Sequence, residues 1–176
     1  MKNIAKVFWL TGLSGSGKTT LALEVVDILR SEGVKIKLLD GDVLREGLNK
    51  DLGFSLEDRK ENIRRVAELS RILIDCGIHC INCFISPTRQ IRELARSIIG
   101  KEHFREIFVK ASLDCCEKRD VKGLYKKARK GLINDFTGIH SPFENPTSAD
   151  LIIDTEKENL LESIDKLYTF IYENSR

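Results

Sequence analysis

Gly12-Leu13-Ser14-Gly15-Ser16-Gly17-Lys18-Thr19 decides how this chain is read. The octapeptide satisfies G-x-x-x-x-G-K-[ST] at each fixed position. Before it runs the short apolar segment Lys6-Val7-Phe8-Trp9-Leu10, which reads as a strand. After it, Lys18 to Glu32 has helical periodicity and ends at Gly33. Glycines let the backbone curl until its N–H groups point inward at phosphate oxygens. The positive end of the following helix favours the anion. Lys18 is placed to reach the β- and γ-phosphates, and Thr19 to offer its hydroxyl to Mg²⁺. The loop therefore predicts a nucleoside triphosphate and Mg²⁺. It does not say what receives the phosphate, or whether water does.

Working outward, short β-rich runs alternate with longer helical patterns. Lys35 to Leu39 reads as a second strand, and Glu57 to Cys76 as a long amphipathic helix capped at Ser55. His79 to Ile85 reads as a third strand, Arg89 to Ile99 as a helix, and Phe104 to Lys110 as a fourth strand. Leu151 to Asp154 is a fifth, and Leu160 to Ile171 carries the stripe of a last helix. Such alternation means parallel pairing through right-handed crossovers. The expectation is an α/β three-layer fold, with a parallel sheet of about five strands and helices on both faces. It occupies one domain over residues 1–176. Ligands in such sheets bind at the carboxyl ends of the strands.

Composition narrows the class. Of 176 residues, 41% are hydrophobic and 32% charged, which excludes a disordered chain. No apolar run approaches the ~18 residues of a membrane helix. The start, Met1-Lys2-Asn3-Ile4-Ala5-Lys6, does not read as a signal peptide. Lys and Arg number 29 against 27 Asp and Glu, a formal charge of only +2. Nucleic-acid binding by bulk charge is not expected, and any anion site must be local. Five cysteines, an odd number, point to reduced thiols and a cytoplasmic location.

Three segments are candidates for the acceptor side. Asp40-Gly41-Asp42 follows the second strand. It can serve as a water-mediated Mg²⁺ site and general base, or simply as a turn. Arg45, Arg59, Asn62, Arg64 and Arg65 suit a second anionic group, or else form a solvated face with Glu57, Asp58, Glu61 and Glu68. Between 117 and 131, seven of fifteen residues are basic, which fits either a lid over phosphates or a solvated face.

Taken together, these segments resemble the adenylylsulfate (APS) kinases, a family of P-loop NTPase fold. Beside the phosphate loop, Asp40-Gly41-Asp42-Val43-Leu44-Arg45 resembles their D-G-D-N-V-R. Leu52-Gly53-Phe54-Ser55, Asp58-Arg59 and Glu61-Asn62-Ile63-Arg64-Arg65-Val66 resemble L-G-F-S…D-R…E-N-I-R-R-V. Phe84-Ile85-Ser86-Pro87 matches F-I-S-P. Cys116 to Asp120 with Lys122 to Arg129 resembles the family's lid, here about 117–140, and Phe136-Thr137-Gly138-Ile139 closes the set. The resemblance implies phosphoryl transfer from ATP to the 3′-hydroxyl of adenosine 5′-phosphosulfate. It assigns Gly12, Leu13, Ser14, Gly15, Ser16, Gly17, Lys18, Thr19, Thr20 and Arg119 to ATP, and Thr19 and Asp40 to Mg²⁺. Lys18, Asp40, Asp42 and Ser86 fall at catalytic positions. The acceptor falls to Asp42, Arg45, Phe54, Arg59, Asn62, Ile85, Ser86, Lys122, Lys127, Phe136 and Thr137, with Phe54 and Phe136 sandwiching its base. A homodimer is implied as well. Val43, Thr88 and His140 depart from the family pattern. The alternative acceptor is another nucleotide anhydride, such as a cytidine diphosphate derivative.

Other features are read as packing. Cys80-Ile81-Asn82-Cys83 matches C-x-x-C, but within a strand its cysteines point to opposite faces. Cys115-Cys116 reads as helix packing and Trp9 as core. A P-loop switch is the rival class. A GTPase would need N-K-x-D, and Asn49-Lys50-Asp51 lacks that spacing.

Overall fold

A computed structural model describes residues 4–175. Met1 to Asn3, on which the absence of a signal peptide was partly read, lie outside the described residues. Five strands form one wholly parallel sheet: β1 (Val7–Thr11), β2 (Ile36–Asp40), β3 (His79–Cys83), β4 (Phe104–Lys110) and β5 (Leu151–Asp154). Their spatial order is β2-β3-β1-β4-β5. Central β1 pairs Phe8 with Ile81 on one side and Arg105 on the other. A strand flanked on both edges and covered on both faces is mostly apolar; all five β1 residues are buried, and the one polar side chain, Thr11, donates to the Ile85 carbonyl at 2.7 Å.

The pleat sends alternate β1 residues to opposite layers. Phe8 and Leu10 pack with helices α1 (Lys18–Ser31) and α7 (Leu160–Asn174). Val7 and Trp9 pack with α3 (Leu56–Asp75) and α4 (Arg89–Ile99). Cys83 joins the first layer and Cys80 the second, so the C-x-x-C pair is divided by the sheet as expected. The bounds of α4, β4 and β5 coincide with the sequence reading. Ser55 caps α3, its hydroxyl accepting from the Asp58 N–H at 3.1 Å.

Two differences matter for the site. First, β3 ends at Cys83 rather than Ile85. The chain leaves the sheet there, and Ser86 adopts the left-handed region with φ of 45°. Second, three short helices appear where periodicity was too brief to read: α2 (Gly41–Glu46), α5 (Leu113–Arg119) and α6 (Leu124–Arg129). The Asp40 carboxylate caps α2 by accepting from the Asp42 N–H at 2.9 Å. Asp120 accepts from the N–H groups of both Tyr125 and Lys126 at 3.0 Å, starting α6. The basic segment is therefore folded. A third apolar cluster of Leu13, Cys116, Tyr125, Ala128 and Phe136 anchors it to the base of the phosphate loop.

Candidate active site

The carboxyl ends of the strands open on a cavity of about 740 Å³. Its donor end is a matter of backbone. β1 delivers the chain to Gly12, where a Cβ would sit 2.4 Å from the Val109 carbonyl oxygen, so only glycine passes. Gly17 then turns the chain into α1 with φ of 100°. Behind that turn Lys18 is buried, and its Nζ donates to the carbonyls of Gly12 at 2.9 Å and Leu13 at 2.7 Å. Burial lowers its pKa to about 8. A buried ammonium held only by carbonyls is poised for a phosphate, which offers it full charge.

Thr19 Oγ1 donates to Asp40 Oδ2 at 2.7 Å, and both residues line the cavity. Among the described residues no group of three or more His, Cys, Asp or Glu could hold a metal. One hydroxyl and one carboxylate nevertheless fit Mg²⁺, which keeps several waters and takes its other ligands from phosphates.

The acceptor end is a matter of side chains. Asp40-Gly41-Asp42 is both the cavity wall and the start of α2. Asp42 is ion-paired with Lys122 across the mouth. Arg45 donates to the Leu52 and Gly53 carbonyls, each at 2.9 Å, and its guanidinium lies 4.4 Å from the centre of the Phe54 ring. Arg59 donates to the Phe54 carbonyl at 3.0 Å and the Asp135 carbonyl at 3.1 Å. Burial, then the neighbouring Arg45, lowers the Arg59 pKa. Two guanidiniums crowded around one half-exposed aromatic ring form an anion site with a stacking surface.

Of the expected residues, the structure brings Ser14, Gly15, Gly17, Lys18, Thr19, Thr20 and Arg119 to the donor end. Asp40, Asp42, Arg45, Phe54, Arg59, Asn62, Ile85, Ser86, Lys122 and Phe136 also line the cavity. Gly12, Leu13 and Ser16 lie behind the loop, buried. Two expected residues lie off this wall. Lys127 is on the exposed side of α6 and does not line the cavity. Thr137 is buried behind Phe136, also off the wall. On α6, Tyr125 and Ala128 take the buried face, which leaves Lys127 outside it. Arg64 and Arg65 belong to the salt-bridged face, pairing with Glu61 and Asp51.

Asn49, Arg92 and Thr155 escaped the sequence. Asn49, fully buried, donates to Asn62 Oδ1 at 2.9 Å and so fixes that amide. Ser86 is tied at both ends. Its hydroxyl accepts from Trp9 Nε1 at 2.8 Å and its carbonyl from Arg92 at 2.8 Å. Arg92 is itself paired with Glu106 at 2.7 Å in the core. Thr155 donates to the Ser16 carbonyl at 2.9 Å, and Arg119 donates to Thr155 Oγ1 at 3.0 Å and the Gly15 carbonyl at 3.3 Å. Only Thr155 had a signal, as the residue after a predicted strand.

Comparison with known proteins gives the family. The Adenylylsulphate kinase family profile matches residues 4–154. An adenylyl-sulfate kinase of Bacteroides thetaiotaomicron is 53% identical over 165 residues, covering 94% of this chain and 82% of that protein. The Mycobacterium tuberculosis APS kinase CysC, solved in complex with AMPPNP and APS, superposes with a TM-score of 0.88 at 42% identity. The superposition covers 97% of this chain and 96% of that one. A hexameric APS kinase from Thiobacillus denitrificans matches with a TM-score of 0.71 at 27% identity, over 98% of this chain and 30% of that one. With a family profile over most of its length and relatives at about half identity, the chain belongs to the adenylylsulphate kinase family.

Proposed function

We propose that this protein transfers the γ-phosphate of ATP to the 3′-hydroxyl of adenosine 5′-phosphosulfate, giving ADP and 3′-phosphoadenylylsulfate. One observation carries the reading. The phosphate loop and the Thr19–Asp40 pair open onto the same cavity as Arg45, Phe54 and Arg59. Two anionic nucleotides can therefore meet head to head.

The loop amides and Lys18 hold the β- and γ-phosphates, and Arg119 closes over the donor nucleotide. Thr19 and Asp40 are the residues that would hold Mg²⁺, which neutralises charge on the transferring phosphoryl group. Asp40 accepts the proton as the 3′-oxygen attacks phosphorus and the bond to the bridging oxygen of ADP breaks. Asp42 and Asn62 orient the ribose, while Arg45, Arg59 and Lys122 face the phosphosulfate. Phe54 and Phe136 flank the base. Positioning and charge stabilisation supply most of the acceleration in such transfers. Ser86, with its hydroxyl engaged by Trp9, serves as wall rather than nucleophile.

The departures from the family pattern support the same acceptor. Val43 is 63% exposed, Thr88 caps α4, and His140 Nδ1 accepts from the Phe136 N–H at 3.4 Å. None of them lines the cavity. A cytidine diphosphate derivative would need a changed wall, and these changes lie off it.

We read the chain as one kinase domain with a lid at about 117–140, working as a cytoplasmic homodimer. The support is family membership, the apolar anchorage of the lid and the five free cysteines. No described helix is long and apolar enough to cross a membrane. The decisive experiment is a coupled ADP-release assay with Mg·ATP against adenylylsulfate and cytidine diphosphate derivatives, with product mass confirmed. Turnover with adenylylsulfate is expected. Turnover confined to a cytidine derivative, or ATP hydrolysis without acceptor, overturns the reading. Equilibrium sedimentation tests the dimer.

A further inference from the structure

One side chain spans the space between the two ends of the cavity without lining it. Tyr125 stands on α6, only 1% exposed. Its hydroxyl donates to the Ser14 carbonyl of the phosphate loop at 2.9 Å. Its ring meets Phe136 edge to face, with centroids 4.9 Å apart and planes at 79°. Ser14 and Phe136 both face the cavity, one at the donor end and one at the acceptor end. Tyr125 is thus in direct contact with one wall residue of each half.

The link is stiff. A tyrosine has two rotatable bonds, and this one is enclosed by Leu13, Cys116, Ala128 and Phe136. Asp120 fixes its backbone by capping α6 at Tyr125 and Lys126. Burial raises the phenol pKa above its ordinary range, so the hydroxyl stays a donor at any working pH. Burial raises the pKa of the neighbouring Cys116 thiol, which therefore offers the hydroxyl no competing charge. The carbonyl it holds belongs to the phosphate loop, so loop and ring cannot shift independently.

We propose that Tyr125 is a positioning residue through which an occupied phosphate loop sets Phe136, and with it the acceptor wall. The inference rests on the reading that the two cavity ends take donor and acceptor. Tyr125 touches neither substrate and acts through Ser14 and Phe136.

The test removes one oxygen. In Tyr125→Phe the ring and its packing remain and the tie to Ser14 is lost. Hydrogen exchange over residues 132–141 is compared with and without the magnesium complex of a non-hydrolysable ATP analogue. In the wild-type protein the analogue should add protection there, and in Tyr125→Phe that added protection should vanish. Equal added protection in both proteins, or none in the wild type, overturns the proposal. With acceptor, KM for adenylylsulfate at saturating ATP should rise about two- to tenfold, the range of one hydrogen bond, while KM for ATP changes less. A lower melting temperature with both readouts unchanged would make Tyr125 purely structural and overturn the proposal. Phe136→Leu cuts the other end of the link and keeps the Ser14 bond. It too should lose the donor-induced protection, and retention there also overturns the proposal, so the test survives if Tyr125→Phe fails to fold. Because exchange needs no acceptor, absent turnover with adenylylsulfate would break the functional reading without touching this result.

Discussion

The two ends of the cavity are built from different materials. The donor end is backbone, strung between β1 and α1 and shaped by glycines that admit no side chain. The acceptor end is side chains, borrowed from α2, α3, the segment after β3 and the lid. Local sequence dictates the first and tertiary packing the second. Substitutions at the donor end should therefore abolish chemistry outright, whereas those at the acceptor end should trade affinity by degrees.

Lys18→Met should have the largest effect. We expect kcat/KM to fall about 10³-fold or more, since a preorganised charge on the transferring phosphate is lost. The unliganded protein should be no less stable, because a buried ammonium without a carboxylate partner is removed. Equal losses of activity and melting temperature would show that the donor end, too, depends on packing. Asp40→Ala should cost about 10²–10⁴-fold in turnover while ATP binding, followed by titration calorimetry, changes far less. Unchanged turnover would remove Asp40 as base. Arg59→Ala should raise KM for adenylylsulfate about 10- to 100-fold, as expected for a charged hydrogen-bonding group, and leave KM for ATP nearly intact. Loss of ATP binding with the fold retained would mean the two ends are not separable.

A pH series sharpens the contrast further. With its pKa lowered from 10.5 to about 8, Lys18 in the free protein loses its proton as pH passes 8. ATP affinity should decline above that point, and binding there should take up a proton from the buffer. The stability of the unliganded protein moves the other way. Between about 8 and 10.5 the unfolded chain holds the proton more tightly, so stability should rise with pH across that window. Thermal melts at low salt would read it. A flat profile in both measurements would show Lys18 to be solvated. Lys122→Met should have the smallest effect, a few-fold in acceptor KM, because its pair with Asp42 is exposed and screened.

The same division explains what could be read in advance. The five strands, four long helices and the phosphate loop follow from periodicity and glycine spacing, which are local. Lys18, Thr19 and Asp40 follow from the rule that function gathers where parallel strands stop. Asn49 and Arg92 did not, since a polar residue in a loop or on a helix carries no mark of the neighbour it will meet at 13 or 6 residues' remove. The short helices α2, α5 and α6 span only six or seven residues, too few for a period to declare itself. The exposure of Lys127 was illegible for a related reason. In a segment with seven cations, charge alone does not say which of them turns inward.

Each cation of the resting site already has an oxygen for company: Lys18 the Gly12 and Leu13 carbonyls, Arg45 those of Leu52 and Gly53, Arg59 those of Phe54 and Asp135. An incoming anion shares these cations with their internal partners, so each single contact gains less than it would at a bare charge. A small free phosphate or sulfate reaches one or two of these cations and leaves the rest as they are. A nucleotide that spans the pocket reaches several at once and adds the stacking of its base. Such a site should favour long anions over small inorganic ones by reach alone, without any group built to exclude them.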